Sequence, residues 1–410
     1  MTARPATGTR PDSSPGPAAP GRLFDIDALR GFALWGILMV NITFMASTHR
    51  GTGVEDPAFG SALDTAVRIT TQAFFEAKFY LLFSFLFGYS FTLQLASADR
   101  GGATFVPRFL RRCAGLLVLG LCHAVLLFPG DILSTYAVLG LVLLAVHRIR
   151  PRTAVRAAVA LTLLTAAGYL LLAWALATTG GGGIDTAAVT EQGRQATEEL
   201  RGGPASVIGA HVRQLPDVAF MLAFFQAPAA FSAFLLGLAA GRIGVLSDVS
   251  RHGPLLRRLQ WTGFTLGTAG GLVWAHAGHG YSGTPYQLVA VAVDMVTAPL
   301  LAAAYAATVL RLLAGPRGRC AAAALAPAGR MALTNYLGQS FVLALVFTGY
   351  GTGLVGRVPP ALVALIALAL FGLQLAFSRW WLAHHPYGPV EWALRTVTLA
   401  RRPRWKGGST

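Results

Sequence analysis

The feature that most constrains this chain is a series of apolar runs long enough to lay helices in lipid, the fourth being short for a full span. They lie at about Leu29–Ala46, Phe74–Leu95, Cys113–Phe128, Ile132–Val146, Val155–Ala177, Val218–Ala240, Trp261–His276, Leu288–Leu310, Met331–Tyr350 and Ala361–Leu382. A hydrocarbon core of roughly 30 Å takes about 20 helical residues. The chain is 54% hydrophobic and only 12% charged, about half the charged fraction of a soluble domain. Lipid must therefore cover the surplus apolar surface. The expected fold is an all-α polytopic membrane protein, a bundle of about ten transmembrane helices.

The charges supply the orientation. Net charge is +16 over 410 residues, which in a soluble protein would suggest nucleic acid. Here the arginines fall between apolar runs, at Arg108, Arg111 and Arg112 and again at Arg148, Arg150, Arg152 and Arg156. Alternating the sides puts segments 97–112, 147–154, 241–260, 311–330 and the tail after 383 on one face, with nearly all the loop arginines. The opposite segments carry Glu55, Asp56, Asp64, Asp131, Asp185, Glu191, Glu198 and Glu199. That asymmetry places both termini in the cytoplasm. With no basic face, zinc spacing or aromatic RNA-binding signature, nucleic acid is not an expected partner.

Residues 1–21, rich in Pro, Gly, Ala and Ser, read as a disordered tail without a secretory signal. A single transmembrane domain follows over 22–396, and a basic cytoplasmic tail over 397–410. Arg401, Arg402, Arg404 and Lys406 there suit anionic headgroups or a topology anchor. A short polar helix is expected near Thr186–Arg201 in the outer loop 179–214. Cys113, Cys122 and Cys320 form no metal or disulfide pattern, and no metal is expected. The first two should pack as small apolar side chains.

Polar groups inside apolar runs are costly, so they face the bundle interior or an aqueous cavity. In the first run, Asp27, Arg30 and Asn41 share a face, since Arg30 and Asn41 differ by only ~20° at 100° per residue. They form either a helix-start ion pair with a helix-contact amide, or one wall of a cavity. In the second, Glu76 and Lys78 are two apart and cannot pair on one helix face. Lys78, one of two lysines in a chain that otherwise uses arginine, needs a partner elsewhere. It is either a snorkelling anchor or an ammonium with a tunable role. His123 sits about 8 Å below the turn Phe128-Pro129-Gly130. Asp131 after that turn reads as the cap of the next helix. His123 is the best candidate for a general base, against a structural alternative. In the ninth run Asn335 with Gln339, and Tyr336 with Ser340, make a stripe suited to interhelical bonding or substrate contact. His276 and His279 are weaker candidates.

These segments together resemble the YeiB-like family of bacterial membrane proteins, also called domain of unknown function 418. The resemblance rests on Asp27-x-x-Arg30-Gly31 with Asn41, on Phe75-Glu76-x-Lys78-Phe79 with Phe83-Ser84-x-Leu86-Phe87-Gly88, and on Gly130-Asp131-Ile132-Leu133 with Tyr136. It continues in Gly329-Arg330-Met331 with Asn335-Tyr336, then Trp381, Gly388-Pro389-x-Glu391-Trp392 and Arg395, the more family-specific part being about 241–396. That family looks like a distant relative of transmembrane acyltransferases, which use cytoplasmic acyl-CoA and modify a sugar or lipid acceptor outside. One departure is plain: acyltransferase-3 proteins carry a histidine in the first span where this chain has Asn41.

The resemblance implies an acyltransferase of the bacterial cytoplasmic membrane with acyl-CoA as co-substrate, no bound cofactor, and a small-molecule, glycan or lipid acceptor. His123 would be the base, Asp131 its orienting carboxylate, and Lys78 or Asn41 the oxyanion donor. Asp27, Arg30, Glu76, Tyr136, Arg330, Asn335, Tyr336 and Gln339 would contact substrate, with Arg30 and Arg330 on the donor phosphates. The rivals are a small-molecule transporter or flippase, with the polar stripe as its path, and a non-catalytic membrane partner protein.

Overall fold

The structure, a computed structural model, describes residues 20–405 except 53, 55, 57, 101, 103, 180–184, 247, 248, 250, 317 and 404. Most of the expected N-terminal tail, together with Glu55, Arg404 and Lys406, lies outside the described residues. Among the described residues the regular structure is entirely helical. The first half contains α1 (Pro20–Ala46), α2 (Ala62–Phe74), α3 (Lys78–Arg100), α4 (Phe105–Leu126), α5 (Leu133–Val146), α6 (Pro151–Thr178), α7 (Thr186–Arg201) and α8 (Pro204–Met221). The second contains α9 (Ala227–Ile243), α10 (Gly253–Thr262), α11 (Thr268–Gly278), α12 (Pro285–Leu313), α13 (Gly318–Arg330), α14 (Ala332–Phe347), α15 (Pro360–His384) and α16 (Pro389–Leu399). Single π-turns at Leu222–Gln226 and Gly263–Gly267 join α8 to α9 and α10 to α11.

Seven helical stretches are long and apolar enough to cross a membrane: Phe24–Ala46, Ala62–Arg100, Phe105–Leu126, Pro151–Thr178, Pro204–Ile243, Pro285–Leu313 and Pro360–His384. The protein is a helical membrane protein. Three of the ten expected runs are not among the seven. Two are the shorter apolar helices α5 and α14. The third is the α10–α11 rod, diluted by glycines that serve packing: a Cβ at Gly263 would meet Leu300 O of α12 at 2.2 Å.

Three other expectations change. The second run is α3, which starts at Lys78 behind a break at 75–77, where Ala77 takes φ 67°, and a separate helix, α2, precedes it. The sixth begins at Pro204 rather than Val218, because Pro216 sits inside a helix that continues through the π-turn. The expected loop 311–330 contains α13. The polar outer helix falls at Thr186–Arg201 as expected, capped by Asp185, which accepts from the Ala187 and Ala188 amides.

α1 lies at the centre of the bundle because its small residues admit neighbours at backbone distance. A Cβ on Gly329 would come within 1.8 Å of Asp27 O, and one on Gly31 within 2.3 Å of Leu325 O. α1 and α13 therefore touch main chain to main chain, the way small residues bring helices together in lipid. α6 is peripheral, with 17% of its apolar window buried, and Leu163, Leu164, Leu171 and Trp174 face outward. Cys113 is buried as expected, whereas Cys122 is exposed on the outer side of α4.

Candidate functional site

The break between α2 and α3 is the first polar centre. α2 ends where Phe75 and Glu76 both donate backbone N–H to Thr71 O, and the Tyr305 hydroxyl covers the freed Phe74 carbonyl at 3.0 Å. Trp35, Phe75, Phe79 and Phe32 then wedge the vertex against the middle of α1. α3 restarts at Lys78, which is fully buried. An ammonium at the positive end of a helix macrodipole is unfavourable, and inside a bundle it is costlier still. Asp294 of α12 answers both problems, its Oδ1 2.7 Å from Lys78 Nζ. Glu76, two residues away, pairs instead with Arg50 at 2.6 Å. The expected separation of Glu76 from Lys78 holds, and Lys78 is not a snorkelling anchor. Tyr136, read as a substrate contact, is buried nearby. Its hydroxyl accepts from Ser84 and donates to Tyr80 O, and its ring packs on Phe87 and Phe234.

The second centre is His123. Gly120 lets the α4 backbone approach the start of α5, since a Cβ there would strike Asp131 Oδ2 at 2.4 Å. Asp131 Oδ2 accepts from the Ser134 amide and hydroxyl at 2.7 and 2.8 Å. Its Oδ1 lies 2.9 Å from His123 Nδ1. Asp131 is thus a cap, as expected, and at the same time fixes the imidazole. Both residues are buried, and His123 Nε2 has no protein partner among the described residues. The Tyr336 ring stands 5.1 Å from the imidazole, centroid to centroid. His211 of α8, also buried, lies beside it and bonds Val125 O.

The third centre lies at the end of the bundle where α1 begins. Arg30 bonds Asp27 at 2.5 Å and the Ser90 hydroxyl of α3. Arg112 stands within electrostatic reach of Arg30 and Glu391, with its Nε buried and unpartnered among the described residues. Glu391 of α16 accepts from the Leu333 and Thr334 amides at 2.7 and 3.0 Å and from the Thr334 hydroxyl. A side-chain carboxylate thus occupies the N-terminus of α14, the position a helix offers to anions. Burial pushes the Glu391 carboxyl above the ordinary carboxylate range, while its bonds to Thr334 pull it back. Arg330 is exposed at the edge and bonds Pro386 O.

Asn335 and Gln339 behave as helix glue. Asn335 Nδ2 donates to Ala328 O and Ser378, Gln339 donates to Gln374, and Gln374 donates to Asn335 O. This lattice seals the break between α13 and α14 and ties both to α15. Asn41 is half-buried on α1. The predicted residues therefore fall into separate groups: Asp27 with Arg30 and, within electrostatic reach, Arg330; His123 with Asp131 and Tyr336, Tyr136 lying in the same apolar cluster as Tyr336; and Asn335 with Gln339. Sequence reasoning passed over Asp294, Ser134, Arg112 and the role of Glu391. For Asp294 the available signal was a lone carboxylate inside the run Leu288–Leu310.

The family described as "Protein of unknown function (DUF418)" matches residues 240–401. The chain is 33% identical over 395 residues to the uncharacterized protein YxaH of Bacillus subtilis (strain 168), covering 92% of this chain and 94% of that one. It is 29% identical to an uncharacterized 39.9 kDa protein in the amylase 3' region of Bacillus acidopullulyticus, over 93% of this chain and 95% of that one. To the uncharacterized protein YeiB of Escherichia coli (strain K12) it is 27% identical, over 91% of this chain and 95% of that one. This helical membrane protein belongs to the YeiB-like DUF418 family.

Proposed function

We propose that the protein is a membrane-embedded acyltransferase, moving an acyl group from cytoplasmic acyl-CoA to a hydroxyl or amine acceptor on the opposite face. The observation that carries this reading is the buried His123–Asp131 pair. Asp131 on Nδ1 selects the tautomer whose Nε2 is free to accept a proton, the arrangement a general base requires. Nε2 would take the acceptor proton as its oxygen or nitrogen attacks the thioester carbonyl. Collapse would break the C–S bond, and the departing thiolate would recover the proton. Tyr336, whose ring lies beside the imidazole, would be the oxyanion donor rather than Lys78, whose charge is committed to Asp294, or Asn41.

Arg30, held by Asp27 and Ser90, with Arg112 and the exposed Arg330, would bind the CoA phosphates through charge-assisted bonds. Under the positive-inside rule the arginine-rich segments support a cytoplasmic location for this end and for both termini, in what would be a bacterial cytoplasmic membrane. α5, α14 and the α10–α11 rod would complete a bundle of about ten crossings.

The test is binding and turnover of labelled acyl-CoA by purified protein in detergent. Arg30→Ala should lose binding, and His123→Ala should bind normally but lose transfer by about 10²–10⁴-fold. Undiminished transfer by His123→Ala would sink the mechanism. A transporter reading draws on the broken α2–α3 segment, because discontinuous helices mark substrate paths. Uptake into proteoliposomes without acyl transfer would favour it.

A further inference from the structure

Lys78 and Asp294 play no part in the acyl-transfer scheme, yet both are buried in the bundle, Lys78 completely. A static ion pair could be replaced by apolar residues without loss of packing, so its surroundings matter. A cavity of about 30 Å³ is lined by Leu81 of α3, Thr162 and Thr165 of α6, Ser232 and Leu236 of α9, and Met295 and Pro299 of α12. Leu81 is one turn beyond Lys78, and Met295 follows Asp294. A water needs only about 10–15 Å³ on this measure, with two or more polar partners.

The lining supplies those partners. Ser232 is 4% exposed and its Oγ has no protein partner among the described residues. Pro299 has no N–H to give the Met295 carbonyl four residues earlier, so that acceptor lacks its helical donor. Thr162 adds a hydroxyl, and Thr165 another, though its proton is already given to Leu161 O. On an otherwise mainly apolar lining, the Ser232 hydroxyl and the Met295 carbonyl are the groups that can hold a water.

We propose that Lys78–Asp294 is a proton-exchange site, served by water held in the cavity between α3, α6, α9 and α12. A proton delivered through that water adds to the Asp294 carboxylate, giving a neutral acid beside the Lys78 ammonium. It leaves by the same route, with no other bond made or broken. The pair sits on the α2–α3 vertex, so its charge state bears on how α3 is held to α12. The titratable groups around it are Glu76, neutralised by Arg50, then Tyr80 of α3, Tyr136 of α5, Tyr169 of α6 and Tyr305 of α12. α1 and α9 present Phe32, Trp35, Phe231 and Ser232 to this region, none of them charged.

Infrared spectroscopy of the lipid-reconstituted protein tests this without acyl-CoA or acceptor, so its failure is separate from failure of the acyltransferase reading. Acidification should raise the carbonyl stretch of a buried protonated carboxylic acid, absent in Asp294→Asn. Lys78→Met/Asp294→Asn provides the same comparison if the single variant does not fold. Ser232→Val, which fills the cavity and removes the hydroxyl, should keep the band but slow its deuterium exchange at least tenfold. A wild-type protein with no such band overturns the proposal. So does a band that survives removal of Asp294, or an exchange rate unaltered by Ser232→Val.

Discussion

Replacing Lys78 with methionine keeps an unbranched side chain, one atom shorter, and removes its charge, leaving Asp294 alone at 5% exposure. Breaking one side of a buried pair costs about 3–5 kcal/mol, because the remaining charge keeps its desolvation penalty and loses its compensation. Asp294→Leu should cost a similar ~3–5 kcal/mol, aggravated by the ammonium at the positive end of α3. The double variant Lys78→Met/Asp294→Leu removes both charges and restores apolar contact. It should recover at least ~2 kcal/mol relative to either single change. Equilibrium unfolding in mixed micelles, followed by tryptophan fluorescence, measures all four corners of the cycle. The same truncations at the exposed Arg194–Glu191 pair on α7 provide a control with little expected effect. Two results would refute the reasoning: single variants within ~1 kcal/mol of wild type, or a double variant whose loss equals the sum of the singles.

Gly329→Ala must push α13 off α1, since the new carbon meets Asp27 O. It should destabilise by about 1–3 kcal/mol, whereas Gly372→Ala, with nothing within 4 Å, should be neutral or slightly stabilising, both read from thermal unfolding in detergent. Glu391 is held above its ordinary value by burial, so its protonated form favours the fold. That contribution is complete below the ordinary carboxylate range and is lost as pH rises through the raised value. Glu391→Gln should flatten this slope in a plot of unfolding midpoint against pH. It should also weaken the N-terminus of α14 by about 1–3 kcal/mol, because Gln presents one acceptor oxygen where the carboxylate presents two. A slope unchanged in the variant would assign it to another group.

Much of the protein was legible in order along the chain. Hydropathy marked the apolar helices to within a few residues at α5, α6, α14 and α15, because lipid exposure demands nearly uniform apolarity. The polar helix Thr186–Arg201 was legible for the opposite reason, as a charged stretch closed by capping and i,i+4 pairs. The pairing of Asp27 with Arg30 also followed from short spacing, whereas that of His123 with Asp131 was expected only from the acyltransferase resemblance. The break at 75–77 did not, since Ala77 carries no mark of the left-handed conformation that its neighbours impose. Nor did the identity of Lys78's partner, which lies 216 residues away.

The sequence alone determined that this is an all-helical membrane protein of the YeiB-like kind, because burial in lipid is decided residue by residue and leaves a local trace. It also showed that Lys78 cannot pair with Glu76 and must either snorkel to the interface or find a partner on another helix. Only the tertiary structure decided that Asp294 answers it, that Glu391 caps α14, and that Asn335 and Gln339 join helices. Those choices depend on which faces of distant helices meet, and helix contacts in lipid are set by small residues and interhelical hydrogen bonds, interactions that have no period along the chain.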